Sequence, residues 1–324
     1  MTKILITGAG GFIGSHLAEL CLESEIEVVA FDRYNSDNSS GWLESSKYQD
    51  EMEIILGDIR DYDSVSKAMK GCSAVFHLAA LIGIPYSYVS PLAYIRTNVE
   101  GTYNVLEAAK NQELEQVIIT STSETYGTAQ YTPINEKHPL VGQSPYAASK
   151  IAADQLALSY FRSFSLPLKI VRPFNTYGPR QSPRAVIPTI ISQVLNNSKE
   201  IKLGSLEPTR DMTFVKDTCA AFLKIYGYGG FLGEVTNIGM NSEVSIGQLA
   251  IEIKSIMGID IPMVTEKIRI RPTNSEVERL VCNNEKLLKH TSWEPRYTLR
   301  TGLSETISWL ENHGQNKKAD FYQI

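Results

Sequence analysis

The 324-residue chain is poor in cysteine. Its four cysteines, Cys21, Cys72, Cys219 and Cys282, form no CxxC pair. That spacing excludes a disulfide framework and the zinc sites built on such pairs. The five histidines show no HxxxH spacing, so no metal site is expected. No window approaches about 18 uninterrupted apolar residues, which excludes a transmembrane helix. There is no basic run and the net charge is −5, so nucleic acid is not expected as a partner. Charged residues are 21% and hydrophobic ones 43%, which excludes a largely disordered chain. Internal repeats and low-complexity tracts are absent. Met1–Gly8 reads as a strand entering a turn, not as a leader with charged, apolar and small-residue parts. The expectation is a soluble cytoplasmic protein with no membrane partner. At roughly 100–200 residues per domain, the length suggests two domains or one large α/β unit.

The first half alternates Val/Ile-rich runs with helical patterns. Strands are expected at Lys3–Thr7, Glu27–Phe31, Met52–Leu56, Ala74–Leu78, Gln116–Thr120 and Leu168–Arg172. Helices are expected at Gly14–Glu23, Ser64–Met69, Pro91–Lys110 and Tyr146–Phe164. This rhythm implies parallel βαβ units, and the nearly continuous apolar strands imply cover on both faces. After Asn175 the rhythm loosens, and Pro173, Pro179, Pro183 and Pro188 fall close together. Helices are expected at Ile190–Leu195, Val215–Tyr226, Ile246–Met257, Asn284–Lys289 and Leu303–Leu310, with strands at Glu200–Leu203 and Val235–Ile238. The polar tail Gln315–Ile324 is expected to fray.

Thr7–Gly14, Thr-Gly-Ala-Gly-Gly-Phe-Ile-Gly, lies directly between a strand and a helix. Gly8 permits the tight turn, Gly11 lets backbone approach a pyrophosphate, and Gly14 allows close helix–strand packing. The helix start at Phe12 and Ile13 offers free N–H groups and a positive dipole end. Asp32 ends the second strand, 18 residues beyond Gly14. A carboxylate there accepts ribose hydroxyls and repels a 2′-phosphate, which favours NAD. Arg33 beside it leaves NADP open, because a guanidinium holds phosphate. Asp58, with Ile59 next, follows the third strand. It could meet the adenine amine or simply cap a helix.

Tyr146 and Lys150 stand four apart, on one helical face. A nearby ammonium favours a phenolate and draws the tyrosine pKa down. Such a base could take a proton from a sugar hydroxyl while hydride leaves the same carbon. Thr122, Ser123 and Glu124 follow the strand Gln116–Thr120, at the carboxyl end where open α/β sheets bind ligands. Thr122 can hydrogen-bond a substrate hydroxyl, and Glu124 sets a carboxylate beside it. A turn or cap would use the same residues.

Together these segments resemble the extended short-chain dehydrogenase/reductase superfamily over nearly the whole chain. Further marks are His77-Leu78-Ala79-Ala80, Asn98 in Thr97–Thr102, Arg172-Pro173-Phe174-Asn175, Arg210–Asp217 and Arg271-Pro272. The resemblance implies a doubly wound, mostly parallel α/β sheet of the Rossmann type with a smaller C-terminal substrate-binding domain. It divides the chain into a dinucleotide-binding part, 1–175, and a mainly substrate part, 176–324, with about 206–240 returning to the first. It implies that Leu78, Ala79, Ala80 and Asn98 join the cofactor site. Arg210, Arg271 and Asn175 match groups that contact the sugar-nucleotide diphosphate. Glu276 is expected at the nucleotide ribose. Arg180 and Arg184 are further substrate candidates, or solvated surface charges. A homodimer is implied, through Pro91–Lys110 and Tyr146–Phe164.

Ser121–Gly127 looks like the 4,6-dehydratase version of the strand end. Dehydratases of deoxythymidine-diphosphate sugars carry Asp where Ser123 stands, whereas those of GDP-mannose carry Ser. The Arg269–Leu280 segment is similar to the legionaminic acid pathway dehydratase, which implies GDP-N-acetylglucosamine as substrate. Tyr146, Lys150, Thr122, Ser123 and Glu124 are then the catalytic set. Ser123 or Glu124 would protonate the leaving C6 hydroxyl. Alternatives are a 4-epimerase, which needs no base at C5, and a uronate decarboxylase. Many decarboxylases carry a Gly-Lys-Arg-containing stretch before the tyrosine, and Glu136–Pro145 has none. A regulator that binds dinucleotide without catalysis would typically lack the Tyr/Lys pair.

Overall fold

The computed structural model describes residues 2–314. The expected fraying of 315–324 lies outside the described residues. Seven strands form one sheet: β1 (Lys3–Thr7), β2 (Glu27–Arg33), β3 (Glu53–Gly57), β4 (Ala74–His77), β5 (Gln116–Thr120), β6 (Leu168–Pro173) and β7 (Val235–Ile238). Their order is β7-β6-β5-β4-β1-β2-β3, and every neighbouring pair is parallel. The chain runs outward from β1 to β3, then crosses back to β4 and runs outward the other way. The order therefore reverses between β1 and β4, where open sheets of this kind bind ligands.

Alternation along each strand covers both faces. Ile4, Ile6, Val28, Ala30 and Phe76 point to one side, against Leu17 and Cys21 of helix Phe12–Glu23 and Phe222 and Ile225 of helix Val215–Gly227. Leu5, Val29, Phe31 and Val75 point to the other. There they meet helices Tyr62–Met69, Gly101–Asn111 and Pro145–Phe164. This is the doubly wound α/β sheet, with no antiparallel strand in it.

The remaining elements gather beyond the sheet's carboxyl ends. Helices Val186–Leu195, Ile246–Met257 and Leu299–His313 share the first face's core through Ile190, Leu249, Ile253, Leu303 and Ile307. Three two-stranded pairs brace them: Asn175–Tyr177 with Met212–Phe214, Thr209–Arg210 with Val244–Ser245, and Ile201–Leu203 with Met263–Thr265. The helix expected from Leu303 starts earlier, at Leu299, because Thr298 and Thr301 form a reciprocal cap. Among the described residues, no helix is long and apolar enough to cross a membrane.

Candidate active site

The glycine turn sits where the strand order reverses. Gly8 has φ +73°, and a Cβ there would lie 2.9 Å from Ala79 on the β4 exit. A Cβ on Gly14 would run into the carbonyl oxygen of Gly8. Gly11 is the exposed N-cap of the following helix, and a Cβ on it would meet only the Gly8 oxygen. The face above the first helical N–H groups is thus open backbone. That geometry fits a dinucleotide pyrophosphate. Phe12 and Ile13 are half-buried at the first turn.

Asp32 folds back onto this turn. Its Oδ2 accepts from Gly10 N at 2.6 Å and its Oδ1 from Arg33 N at 2.6 Å. Each oxygen keeps a second lone pair for a ribose hydroxyl. Gly10 was not singled out in the sequence, although a side chain there would strike Asp32 and Ser40. Asp58 is not a helix cap. Asp61 caps helix Tyr62–Met69, and Arg60 grips both Asp58 oxygens from outside. Arg60 beside it holds the Asp58 carboxyl below its ordinary range. Arg33, Tyr34, Asp58, Arg60 and Ser64 line an open depression of about 350 Å³ at the β2 and β3 ends. Ile59 is buried beneath it, against Gly101.

Asn98 lies in a π-helical turn, Ile95–Glu100, within the continuous helix 91–111. Its amide is spent on protein: Oδ1 accepts from Leu81 N at 2.8 Å, and Nδ2 donates to Leu81 O and Ser149 Oγ. It holds the Leu78–Leu81 segment against the Tyr146 helix, so its placement is that of a positioning residue. His77 closes a chain beneath the same segment. Thr102 Oγ1 donates to Asn98 O, so it accepts from His77 Nε2; Thr7 Oγ1 then donates to Nδ1 and accepts from Ala79 N. The histidine is neutral, with its proton on Nε2.

The second turn of interest follows β5. Thr122 caps the 3-10 turn Ser123–Tyr126, accepting from Glu124 N at 3.3 Å. Ser123, Glu124 and Tyr126 are all buried. Opposite, Ser144 caps helix Pro145–Phe164 and Pro145 occupies its first position, which fixes Tyr146 at the helix mouth. Lys150 sits one turn deeper and donates from Nζ to Thr120 O at 2.6 Å.

One expectation is corrected here. Burial pushes the Tyr146 phenol up from its ordinary value; the Thr122 side chain opposes this and the Glu124 charge adds to it. Lys150 is not what sets that value, because its ammonium is turned onto the Thr120 carbonyl. Burial also draws Lys150 down, opposed by Asp154 and helped by Arg172.

Arg172 stands in one of the quoted motifs, but motif reading missed its buried partner, Asp154. Arg172 Nη2 meets Asp154 Oδ2 at 2.6 Å, and Ser121 Oγ donates to the same oxygen at 2.6 Å. The guanidinium lies 4.6 Å from the centre of the Tyr126 ring. Both charges are nearly inaccessible. They underlie the first and last residues of the Ser121–Tyr126 segment. The available signal was spacing: Asp154 stands four residues after Lys150 on the same helix.

The arginines separate into two groups. Arg210 is buried, with Nη1 on Thr209 O and Val277 O, and Nη2 3.3 Å from Glu276 Oε1. Arg271 approaches the same Glu276 oxygen at 3.5 Å. Glu276, expected at a ribose, thus bridges the two arginines instead. Burial lowers the Arg210 pKa, and the charge of Glu124 opposes that fall. Asn175 Oδ1 is buried without a partner. Arg180 belongs elsewhere: it pairs at 2.9 Å with Glu19 on the glycine-turn helix. Arg184 is exposed, and its charge acts on Tyr94, whose ring packs edge-on against Tyr146.

A dinucleotide-type turn, a buried Tyr/Lys helix and a Thr-Ser-Glu strand end on one Rossmann-type sheet define an extended short-chain dehydrogenase/reductase. The chain belongs to the GDP-mannose 4,6 dehydratase family, which it matches over residues 5–306. It is 31% identical to the human dTDP-D-glucose 4,6-dehydratase over 325 residues, covering 98% of this chain and 92% of that one. The dTDP-glucose 4,6-dehydratase of Bacillus anthracis in complex with NAD superposes with a TM-score of 0.85. It is 29% identical, over 98% of both chains. The UDP-glucuronic acid 4-epimerase of Bacillus cereus, in complex with UDP-glucuronic acid and NAD, gives 0.87 at 29% identity. That match covers 96% of this chain and 99% of the epimerase. The chain therefore stands in the nucleotide-sugar 4,6-dehydratase and 4-epimerase superfamily.

Proposed function

We propose that this protein is an NAD-dependent nucleotide-sugar 4,6-dehydratase. The observation that carries the reading is the place of Glu124. It is a buried carboxylate whose charge acts both on Tyr146 and on Arg210. A base beside the redox tyrosine and within reach of the diphosphate grip is what elimination across C5 and C6 needs. Epimerisation at C4 leaves such a group without a task.

Gly8, Gly11, Phe12, Ile13, Gly14, Asp32, Asp58 and the Leu78–Ala80 segment would hold the dinucleotide. Bound NAD would supply hydride uptake from the sugar C4 and its return at C6. Tyr146 Oη takes the C4 hydroxyl proton, with Thr122 Oγ1 aligning that hydroxyl. Lys150, its ammonium anchored on the Thr120 carbonyl, would orient the nicotinamide ribose. The 4-ketone acidifies the C5 proton, and Glu124 removes it. The C6 hydroxyl leaves as water, protonated by Glu124 returning its proton or by Ser123 relaying one; the proton that Tyr146 took from the C4 hydroxyl balances the one C5 regains as hydride returns to C6. Arg210, Arg271 and Asn175 hold the diphosphate.

The Arg269–Leu280 likeness extends the reading to GDP-N-acetylglucosamine and to legionaminic acid biosynthesis in the cytoplasm. We assign 1–175 to the dinucleotide part and 176–324 mainly to the substrate part, with about 206–240 returning to the first. β7 at the sheet edge supports that return. Exposed Leu92, Ile95, Tyr103 and Phe164 on the two helices support a homodimer through them.

Mass spectrometry of the protein incubated with NAD and each of GDP-N-acetylglucosamine, UDP-N-acetylglucosamine, GDP-mannose and UDP-glucuronate tests this. Loss of one water from a sugar nucleotide is expected. Loss of carbon dioxide, or an isomer of unchanged mass, moves the protein to the rival classes. In Glu124→Gln, dehydration should fall by roughly 10²-fold or more. The first oxidation should persist as reduced nicotinamide. Product release at the wild-type rate would remove Glu124 from the mechanism.

A further inference from the structure

Gln143 lies three residues before Tyr146, on a half-buried approach to the catalytic helix. Its side chain is spent on two segments far apart in the chain. Oε1 accepts from Thr128 N at 2.5 Å, at the exit of the Ser123–Tyr126 turn. Nε2 donates to Asn274 O at 3.3 Å and Glu276 O at 3.1 Å. Both N–H groups and the carbonyl of the amide are therefore used. The Gln143 carbonyl accepts from Ser275 Oγ at 2.6 Å, and that hydroxyl accepts in turn from Tyr88 Oη.

Two further observations show that the closure is built in. Gly127 has φ +65°, and a Cβ there would lie 2.5 Å from Gln143 Oε1 and 2.8 Å from Val141 O. Only glycine lets the amide close on the turn. Glu276, whose backbone Gln143 holds, carries the carboxylate that bridges Arg210 and Arg271. The catalytic turn and the arginine grip are thus connected through one side chain.

We propose that Gln143 is a positioning residue that registers the diphosphate grip against the catalytic turn. The inference rests on the reading that Arg210 and Arg271 hold the substrate diphosphate and that Thr122–Glu124 serve the chemistry. Arg210 is anchored independently on Thr209 O and Val277 O, so the grip itself survives loss of Gln143. What is lost is the placement of the sugar over Thr122, Glu124 and Tyr146. A misplacement of about 1 Å can cost on the order of 10²-fold in rate.

The variant Gln143→Glu keeps an acceptor toward Thr128 N but turns a carboxylate oxygen onto two carbonyls. Gln143→Met, of similar length without polar atoms, is the second variant should the first not fold. GDP, UDP and dTDP are titrated into wild type by calorimetry, and the one that binds is carried forward. The expected result is kcat lowered by roughly tenfold or more, with KM and the nucleoside diphosphate Kd within about threefold of wild type. A kcat within about twofold of wild type in a folded variant overturns the proposal. So does a diphosphate Kd raised in proportion to the loss of kcat. If wild type proves to epimerise rather than dehydrate, the functional reading fails but the same split is read on that kcat. If wild type binds none of the three nucleotides, both fail together.

Discussion

Two turns at the carboxyl end of one sheet do the work proposed here, and they are held by opposite means. The turn after β1 is fixed by what it lacks. Gly8, Gly10 and Gly14 leave no room for a Cβ, and the Asp32 carboxylate ties its backbone at Gly10. The turn after β5 is fixed by what is buried under it. Ser121 and Tyr126 rest on the Asp154–Arg172 pair, and Lys150 is anchored to Thr120. The first turn needs its backbone bare for a ligand. The second must hold side chains still while protons move, and a buried, hydrogen-bonded ion pair does that. The difference sets what each tolerates. One fails by steric intrusion, the other by an uncompensated charge.

The largest effect is expected at the first turn. Gly14→Ala drives a methyl into the Gly8 carbonyl, which the tight turn cannot yield. The loss should exceed the about 4 kcal/mol that marks an exceptional substitution, or the turn must open and lose the dinucleotide. Gel filtration followed by the absorbance ratio of retained nucleotide reads this directly. An alanine variant with a wild-type melting temperature and full nucleotide content would show that the turn is not sterically fixed. Gly71→Ala is the control. It sits in a loop with φ +80° and nothing within 4 Å, so only a backbone cost of about 1–2 kcal/mol is expected.

That contrast also explains what could be read from the chain alone. The glycine turn is written in eight consecutive residues, and β1, β4 and β5 carry unbroken apolar runs. Elements of this kind were placed within a few residues. The second turn is written across the chain. Asp154 is 33 residues from Ser121 and Arg172 a further 18, so no local pattern joins them. The same holds for Glu276, which meets Arg210 across 66 positions and bridges two arginines rather than standing free. The sequence around Asp58 fits two roles, because its place depends on Arg60 turning back onto it. Lys150 is legible from helical spacing and from the family motif. Spacing places it on the Tyr146 face but does not reveal that a carbonyl claims its ammonium.

A smaller but still large effect is expected beneath the second turn. Asp154→Asn leaves the Arg172 guanidinium buried without its counter-charge. Breaking such a pair from one side costs about 3–5 kcal/mol. Replacing both partners by apolar residues, Asp154→Leu with Arg172→Met, should cost far less in stability. The double variant should nonetheless lose activity, because Ser121 and Tyr126 lose their support. Urea unfolding of the single and double variants, with turnover measured alongside, separates the two. A double variant with wild-type turnover would mean the pair stabilises the fold and has no part in placing Thr122 and Glu124.

The smallest effect concerns the seam between the turns. β4 lies between β1 and β5, and His77 at its end bonds Thr7 of the first and Thr102 of the helix behind the second. Burial, aided by Lys150, pulls the His77 pKa down to about 3, and burial with Arg180 pulls His16 down to about 4. Both lie below the ordinary histidine value of about 6.5. As pH falls through 6.5 the unfolded chain therefore binds protons that the folded chain refuses. The stabilising contribution is complete above 6.5 and is lost on acidification, by up to about 1.4 kcal/mol per pH unit for each histidine. Asp211 works the other way, since burial holds its carboxyl up at about 6 and protonation below that pH relieves it. The absolute slope mixes these contributions, but a difference between variants does not. In His77→Gln, whose amide can still meet Thr7 and Thr102, the unfolding midpoint should fall less between pH 7 and 5 than in wild type. Equal slopes would mean that His77 takes up its proton in the folded chain, with Thr7 Oγ1 turned from donor to acceptor toward Nδ1.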